Sequence, residues 1–122
     1  IYDNINYGNN KNRKDIIEIL RKYDLEIIFK SLDIQDNYLD FIVKNNGNNL
    51  SLGMQKVIIL LRGLLKKNNN ILIFDEQLSS LDHKTCLKVI RMMLEEKKNK
   101  TYIIISHDNY FNQYSENNIN LN

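Results

Sequence analysis

Two adjacent acidic residues, Asp75 and Glu76, follow an uninterrupted run of apolar residues at positions 71–74. Such a run predicts a short β-strand that is buried on both faces. The carboxyl end of a strand of this kind lies where open α/β sheets bind their ligands. One carboxylate there can bind Mg²⁺, and a second can orient an attacking water molecule. The simpler alternative is a core strand that ends in two solvated acids.

Two further segments carry residues that suit the same chemistry. Residues 101–105 are a second apolar run that predicts a buried strand, and His107 follows it, 31 positions after Glu76 (107 minus 76). Ser51 precedes a long apolar segment that extends to about residue 66, and a serine in this place is a typical helix N-cap. His107 has a simpler alternative as well, a histidine at the end of a strand that is bonded only to backbone.

The elements that would position these residues alternate as strand, helix and strand. Between the two apolar runs, residues 83–98 carry apolar side chains on one helical face. This order predicts a parallel βαβ unit with a right-handed crossover, and therefore an α/β fold. Upstream, apolar residues at helical spacing predict a helix over 12–23 and a short one over 25–32. Residues 33–49 are expected to be mostly loop, with a turn or short strand at 38–43, and residues 1–10 and the tail from Asn109 are polar and rich in Asn.

The composition limits the classes of protein to consider. The chain is 43% hydrophobic and 26% charged, which is typical of a globular domain. Its 17 basic and 15 acidic residues leave a net charge of only +2, so no nucleic-acid partner is expected. No apolar run reaches the roughly 18 to 20 residues that cross a bilayer. The single cysteine, Cys86, lies in the apolar phase of a helix and is expected to be a buried, inert thiol.

The order of the motifs resembles the second half of an ATP-binding cassette (ABC) ATPase domain. That family carries a signature sequence LSGGQ, a Walker B segment, a D-loop and a switch histidine, in this order. The corresponding segments here are LSLGMQ from position 50, ILIFDE from 71, SSLD from 79 and ISHD from 105. The segment IYDNINYG at 1–8 and the approach GNNLS at 47–51 resemble exporter-type members. The resemblance implies a P-loop NTPase-like fold, with a helical subdomain and signature helix over about 10–66 and part of the catalytic core over about 67–122.

The resemblance also implies roles for individual residues. Asp75 would bind Mg²⁺ through water, because Mg²⁺ keeps several of its own waters. Glu76 would polarise the attacking water, and His107 would sense the γ-phosphate of ATP. The residues that would bind the cofactor are Ser51, Gly53, Gln55 and Asp82. They would act on ATP held by the opposite domain of a dimer. For Asp82, capping the following helix is an equally good reading.

The sequence departs from the family pattern at several places. Leu52 replaces the first glycine of the signature, and Met54 replaces its glutamine. Gln77-Leu78 stands where Pro-Thr usually follows the Walker B glutamate. The phosphate-binding pattern G-x-x-x-x-G-K-[ST] (Walker A) and the Q-loop are not in this sequence. Because Ile is the first residue, we expect the chain to begin inside a longer protein, and we expect this portion alone to be inactive.

The function implied by the resemblance is Mg²⁺-dependent ATP hydrolysis that is coupled to transport across a membrane. The expected partners are a second nucleotide-binding domain and the transmembrane domains of the transporter. The expected location is the cytoplasmic face of a membrane, reached through those domains. Two alternatives stay open: a non-hydrolytic, degenerate cassette that pairs with an active partner, and an ABC ATPase that is not a transporter.

Overall fold

The computed structural model describes residues 1–32, 37–97 and 99–120. Within these residues the chain forms a helical region followed by a strand–helix–strand unit. Short 3₁₀ segments at Leu25–Phe29, Tyr38–Asp40, Asn45–Gly47 and Asn109–Tyr114 connect or follow the main elements. The main elements are α1 Tyr2–Asn6, α2 Arg13–Lys22, α3 Leu52–Leu64, β1 Ile71–Asp75, α4 His83–Glu95 and β2 Thr101–Ile105.

The two strands form a parallel sheet, which confirms the predicted α/β class and the strand–helix–strand order. β1 pairs with β2 in a register that places Ile71 opposite Thr101 and Asp75 opposite Ile105. The strands therefore end level with each other. As a result, the residues that follow them, 76 onward and 106 onward, leave the sheet at the same edge.

The prediction that the first strand is buried on both faces is wrong for this chain. Leu72 and Phe74 are buried, whereas Ile71 is 62% exposed and Ile73 is 63% exposed. Helix α3 contacts the buried face of β1 at Leu72, whose Cδ2 would lie 3.2 Å from a Cβ built on Gly63. Side chains alternate between the faces of a strand, so helix packing on one face leaves the other apolar face open.

Each of the three longer helices begins at a side-chain cap. Asn12 and Asp15 form a reciprocal capping box at the start of α2. Ser51 caps α3, and Asp82 caps α4. The helix expected over 83–98 ends earlier, at Glu95. Residue 98 and the predicted loop residues 33–36 lie outside the described residues.

Two structured segments were not expected from the polar ends of the sequence. Helix α1 buries Ile1 and Ile5, and Arg62 of α3 donates from Nε to the carbonyl oxygen of Asn4 at 2.7 Å. In the tail, the 3₁₀ segment Asn109–Tyr114 buries Phe111. These apolar side chains join the hydrophobic core that also holds the buried faces of α2, α3 and α4.

The helical region and the strand–helix–strand unit also meet through polar contacts. The buried Tyr23, which follows α2, donates from its hydroxyl to Glu96 Oε1 at 2.7 Å, and Lys22 Nζ lies 3.0 Å from the same oxygen. None of the helices in residues 1–32, 37–97 and 99–120 has the length and apolar character needed to cross a bilayer.

Candidate active site

The acid pair lies at the carboxyl end of β1, as predicted. Asp75 is the last residue of the strand and is exposed. Glu76 follows in a left-handed backbone conformation, with φ of 53°. Its N–H donates to the carbonyl oxygen of Ile105 at 2.9 Å, so the parallel ladder continues one residue beyond the strand. A left-handed conformation is uncommon outside glycine, and it turns the Glu76 side chain away from the strand direction.

The structure brings His107 next to Glu76. The backbone N–H of His107 donates to Glu76 Oε1 at 3.1 Å, and the imidazole Nε2 lies 3.5 Å from the same oxygen. The His107 side chain is fully exposed, whereas that of Glu76 is partly covered. One carboxylate oxygen therefore links the ends of both strands. The imidazole is open to solvent and can reach a group outside the chain.

The loop after Glu76 is fixed by a buried leucine and a pair of hydroxyls. Leu78 is 1% exposed and anchors the loop in the core. The hydroxyl oxygens of Ser79 and Ser106 lie 2.7 Å apart, and Ser106 Oγ accepts a hydrogen bond from the N–H of Asp108 at 3.0 Å. The loop between β1 and α4 is therefore bonded to the segment that carries His107 through Ser79 and Ser106, in addition to the contact between Glu76 and His107.

Asp82 closes this loop as the N-cap of α4. Its carboxylate accepts a hydrogen bond from the N–H of Thr85 at 3.1 Å. Hydrogen bonds from the side chain and the backbone of Thr85 hold the pKa of Asp82 below its ordinary value. The capping role that the sequence indicated is confirmed. Any role across a dimer stays a prediction.

The signature segment forms the first turn of α3. Ser51 Oγ accepts a hydrogen bond from the N–H of Met54 at 3.3 Å, and the Met54 side chain is buried in the core. The N–H groups of Leu52 and Gly53 make no hydrogen bond within the described residues. Leu52 is 60% exposed. The two departures from the family signature thus differ in kind, because Met54 packs inside and Leu52 faces out.

Gln55 has a different environment from the other residues of the predicted cofactor-binding set. Its side-chain amide donates to the carbonyl oxygens of Gly47 and Leu50, at 3.0 and 3.2 Å. Both protons of the amide nitrogen are therefore used within the chain. Sequence reasoning gave no sign of this, because the pattern identifies a residue type and not the loop to which its side chain binds.

Among the described residues, the predicted site residues lie in two separate places. One group lies at the strand ends and contains Asp75, Glu76, His107 and Asp82. The other lies at the start of α3, and in the described part of the chain no hydrogen bond joins Ser51, Gly53 or Gln55 to the first group. In the structure Glu76 therefore contacts His107, and the start of α3 is a separate surface.

The carboxylates at the strand ends could bind Mg²⁺ together with water molecules and substrate phosphates. No cluster of three or more His, Cys, Asp or Glu side chains suited to a metal is present among the described residues. Mg²⁺ does not need one, since it keeps several waters and commonly takes one or two carboxylates together with substrate phosphates. The exposed Asp75 is suited to be that carboxylate.

Comparison with known proteins identifies the family. An ABC transporter C family member 9 of Arabidopsis thaliana is 34% identical over 93 residues, which cover 76% of this chain and 6% of that protein. A glutathione/L-cysteine transport system ATP-binding/permease protein, CydC, of Haemophilus influenzae is 34% identical over 94 residues, covering 77% of the chain and 16% of that protein. The chain belongs to the ABC family. It corresponds to part of a nucleotide-binding domain, as the resemblance indicated.

A relative that is named as an import protein also matches this chain. The phosphate import ATP-binding protein PstB of Oceanobacillus iheyensis is 31% identical over 112 residues, or 88% of the chain and 38% of that protein. No family model matches the chain. The chain spans well under half the length of each of these relatives. CydC and PstB are both named as ATP-binding proteins.

Proposed function

We propose that this chain provides the signature, Walker B, D-loop and switch-histidine segments of an ATP-hydrolysing domain that powers transport across a membrane. The observation that carries the proposal is the contact between His107 and Glu76 Oε1 at the level ends of two parallel strands. This contact joins an acid and a histidine that stand 31 positions apart in the sequence. It fixes the carboxylate of Glu76 beside an exposed imidazole, at the edge of the sheet where ligands bind.

Glu76 is proposed as the residue that orients and polarises the attacking water. The left-handed backbone at Glu76 supports this role, because uncommon backbone conformations of this kind concentrate at functional sites. One of its oxygens accepts the His107 N–H, which leaves the second oxygen for water. His107 would then donate from its imidazole to the γ-phosphate, a role that its full exposure allows.

Asp75 is proposed to hold Mg²⁺, mainly through water. When bound, the ion would neutralise charge on the phosphates and help to fix them for in-line attack. Asp75 points from the end of a paired strand, so its backbone is held in place by the sheet. Asp82 and the hydroxyl pair of Ser79 and Ser106 would hold the intervening loop, and Asp82 would also contact the partner domain.

The start of α3 is proposed to act on ATP that is held by the opposite domain of a dimer. The unused N–H groups of Leu52 and Gly53 and the positive end of the helix dipole suit a γ-phosphate. Ser51 would add its hydroxyl, and Gly53 would allow close approach. The separation of this surface from the Glu76 group within one chain supports a composite site that needs two domains.

The proposed setting is an exporter-like transporter, at the cytoplasmic face of a membrane. In this proposal residues 10–66 are most of the helical subdomain and signature helix, and residues 67–122 belong to a P-loop NTPase-like catalytic core. The partners are a second nucleotide-binding domain and transmembrane domains. The open apolar sheet face at Ile71 and Ile73 supports the idea that further strands or helices of the intact protein complete the core.

The test is the rate of Mg²⁺-dependent phosphate release by the intact protein with Glu76→Gln. We expect the rate to fall by about 10²- to 10⁴-fold, as for loss of a general base, while ATP still binds. The matched control is Glu116→Gln, which makes the same chemical change at an exposed residue paired with Lys97. The control should keep the unmodified rate. A Glu76→Gln protein that hydrolyses ATP as fast as the control would refute the role of Glu76.

A further inference from the structure

The loop that leads into α3 has an unusual backbone. Asn45, Asn46 and Gly47 adopt positive φ angles of 47°, 57° and 93° in succession. Residues other than glycine enter this region at a cost of about 1 kcal/mol or more each, so surrounding contacts must hold them there. Leu50 and Ser51 follow directly, and they set the direction in which α3 begins. The position of the first turn of α3 therefore depends on what holds this loop.

Gln55 supplies much of that support from one turn inside α3. Its amide nitrogen donates to the carbonyl oxygen of Gly47, which also accepts from the N–H of Leu50 at 2.8 Å, and to the carbonyl oxygen of Leu50 itself. The Gln55 side chain also packs against the loop, since a Cβ on Gly47 would lie 3.3 Å from Gln55 Cδ. A single side chain thus contacts both ends of the tight segment before Ser51.

Asn49 strengthens the same loop from the other side. Its amide nitrogen donates to the carbonyl oxygen of Ile42, and its oxygen accepts from the N–H of Lys44, both at 2.9 Å. These contacts close the outer part of the loop and do not reach Ser51. Gln55 is therefore the side chain that ties the loop to the helix, because its own backbone belongs to α3.

We propose that Gln55 is a positioning residue, which fixes the Leu50–Ser51 junction so that Ser51 and Gly53 present one rigid surface to a phosphate. This inference rests on the proposed function for the effect on turnover, although the tie between helix and loop does not. It differs from direct binding of ATP by Gln55, because the amide protons are already bonded to backbone. The side chain would act through the geometry of Ser51, and the phosphate would meet only the helix start.

The test compares Gln55→Glu and Gln55→Met in the intact protein. The carboxylate of Gln55→Glu would face two carbonyl oxygens and repel both, so we expect kcat to fall by about 10- to 100-fold through misplacement of the helix start. The equilibrium Kd for ATP should stay within about twofold, and the unfolding midpoint, even if it falls, should stay above the assay temperature, so that the protein assayed is folded. The control is Gln113→Glu, where the same change affects an exposed amide that donates to Tyr110, and kcat should not change.

The pH profile separates positioning from a general structural effect. A free glutamate has a pKa of about 4.3, and the two facing carbonyl oxygens favour its protonated form, which restores one donor toward the loop. The rate of Gln55→Glu relative to the unmodified protein should therefore rise as pH falls from about 7 to 5. Gln55→Met has no titratable group there and should show no such recovery. A Gln55→Glu protein with unchanged kcat, or a loss of kcat matched by an equal loss of ATP affinity, would overturn the inference.

Amide hydrogen exchange gives a measurement that needs no hydrolysis. In Gln55→Met we expect faster exchange at residues 47–51, and unchanged exchange in β1 and β2. Unchanged exchange at 47–51 would overturn the inference even if the rate fell. If the unmodified intact protein does not hydrolyse ATP, the proposed function fails, and the exchange result alone then decides whether Gln55 holds the loop.

Discussion

Gly53 offers a direct way to separate the needs of the fold from the needs of the proposed site. It is the second residue of α3, with no left-handed backbone that would require glycine. A Cβ placed on it would lie 3.5 Å from Ile28 Cδ1 and 4.0 Å from Ser51 Oγ, which are ordinary contact distances. Within the described chain, alanine therefore fits at this position, and the fold does not require glycine there.

The stability of Gly53→Ala follows from these contacts. Alanine is favoured over glycine inside a helix by up to about 1 kcal/mol, and somewhat less in the first turn. With no clash to offset this gain, we expect the free energy of unfolding of the intact protein to be unchanged or to rise by about 0.5 kcal/mol. Denaturant unfolding of the purified protein measures this difference.

The activity of the same variant should move in the opposite direction. The added methyl group would stand where we propose that a phosphate approaches the N–H groups of α3. Loss of one preorganised donor to a transition state commonly lowers kcat by about 10²-fold or more, and partial obstruction should lower it by at least about 10-fold. The assay is phosphate release by the intact protein at saturating ATP.

A matched variant in the same helix provides the control. Gly63→Ala would place its Cβ 3.2 Å from Leu72 Cδ2, so the helix-propensity gain is offset by the shift that Leu72 must make, and the turnover of folded protein should stay unchanged. The reasoning would be refuted if Gly53→Ala hydrolysed ATP at the unmodified rate. It would also be refuted if the variant lost activity only because it unfolded.

Two more predictions concern single groups of the structure. Because the pKa of Asp82 is lowered in the folded state, its cap stabilises α4 above about pH 4, and this stability is lost as pH falls through that lowered pKa. Asp82→Asn should keep most of the cap and reduce the loss of unfolding free energy in acid. An unfolding free energy that falls with pH as steeply in Asp82→Asn as in the unmodified protein would contradict this. Burial raises the pKa of Cys86 to about 11, so at pH 8 a thiol reagent should modify it only as fast as the protein opens; rapid modification of native protein, located by mass spectrometry, would contradict the burial.

The pairing of Glu76 with His107 could be foreseen because it depends on local rules. Two apolar runs joined by an amphipathic helix form parallel strands, and level strand ends bring the following residues together. The N-caps Ser51 and Asp82 were foreseeable for the same reason, since a capping side chain reaches only two or three residues along its own chain. These parts of the site depend on contacts that periodicity and residue type describe well.

Other features depend on contacts between distant segments and had no clear signal in the sequence. Helix α1 is short and polar apart from Ile1 and Ile5, and it forms because those two residues pack into the core. The left-handed backbone of Glu76 is held by its N–H bond to Ile105, a residue of the other strand. The environment of Gln55 depends in the same way on a loop whose backbone the Asn-rich sequence allows but does not specify.

The expectation of a strand buried on both faces failed for an instructive reason. An apolar run predicts burial of every residue in it, but no helix or strand of the described residues packs on the face of β1 that carries Ile71 and Ile73. Ile71 and Ile73 are therefore exposed, although isoleucine at these positions is typical of a buried strand. In the proposed intact domain, further elements would cover this face.

The most direct test of the central proposal is the identity of the nucleotide trapped by Glu76→Gln. The intact variant is incubated with Mg²⁺ and ATP, separated from free nucleotide by gel filtration, and its bound nucleotide is released and quantified. If Glu76 orients the attacking water, the variant should retain unhydrolysed ATP in an associated dimer, whereas the unmodified protein should yield ADP. Recovery of ADP from the variant, at the rate of the unmodified protein, would contradict the role proposed for Glu76.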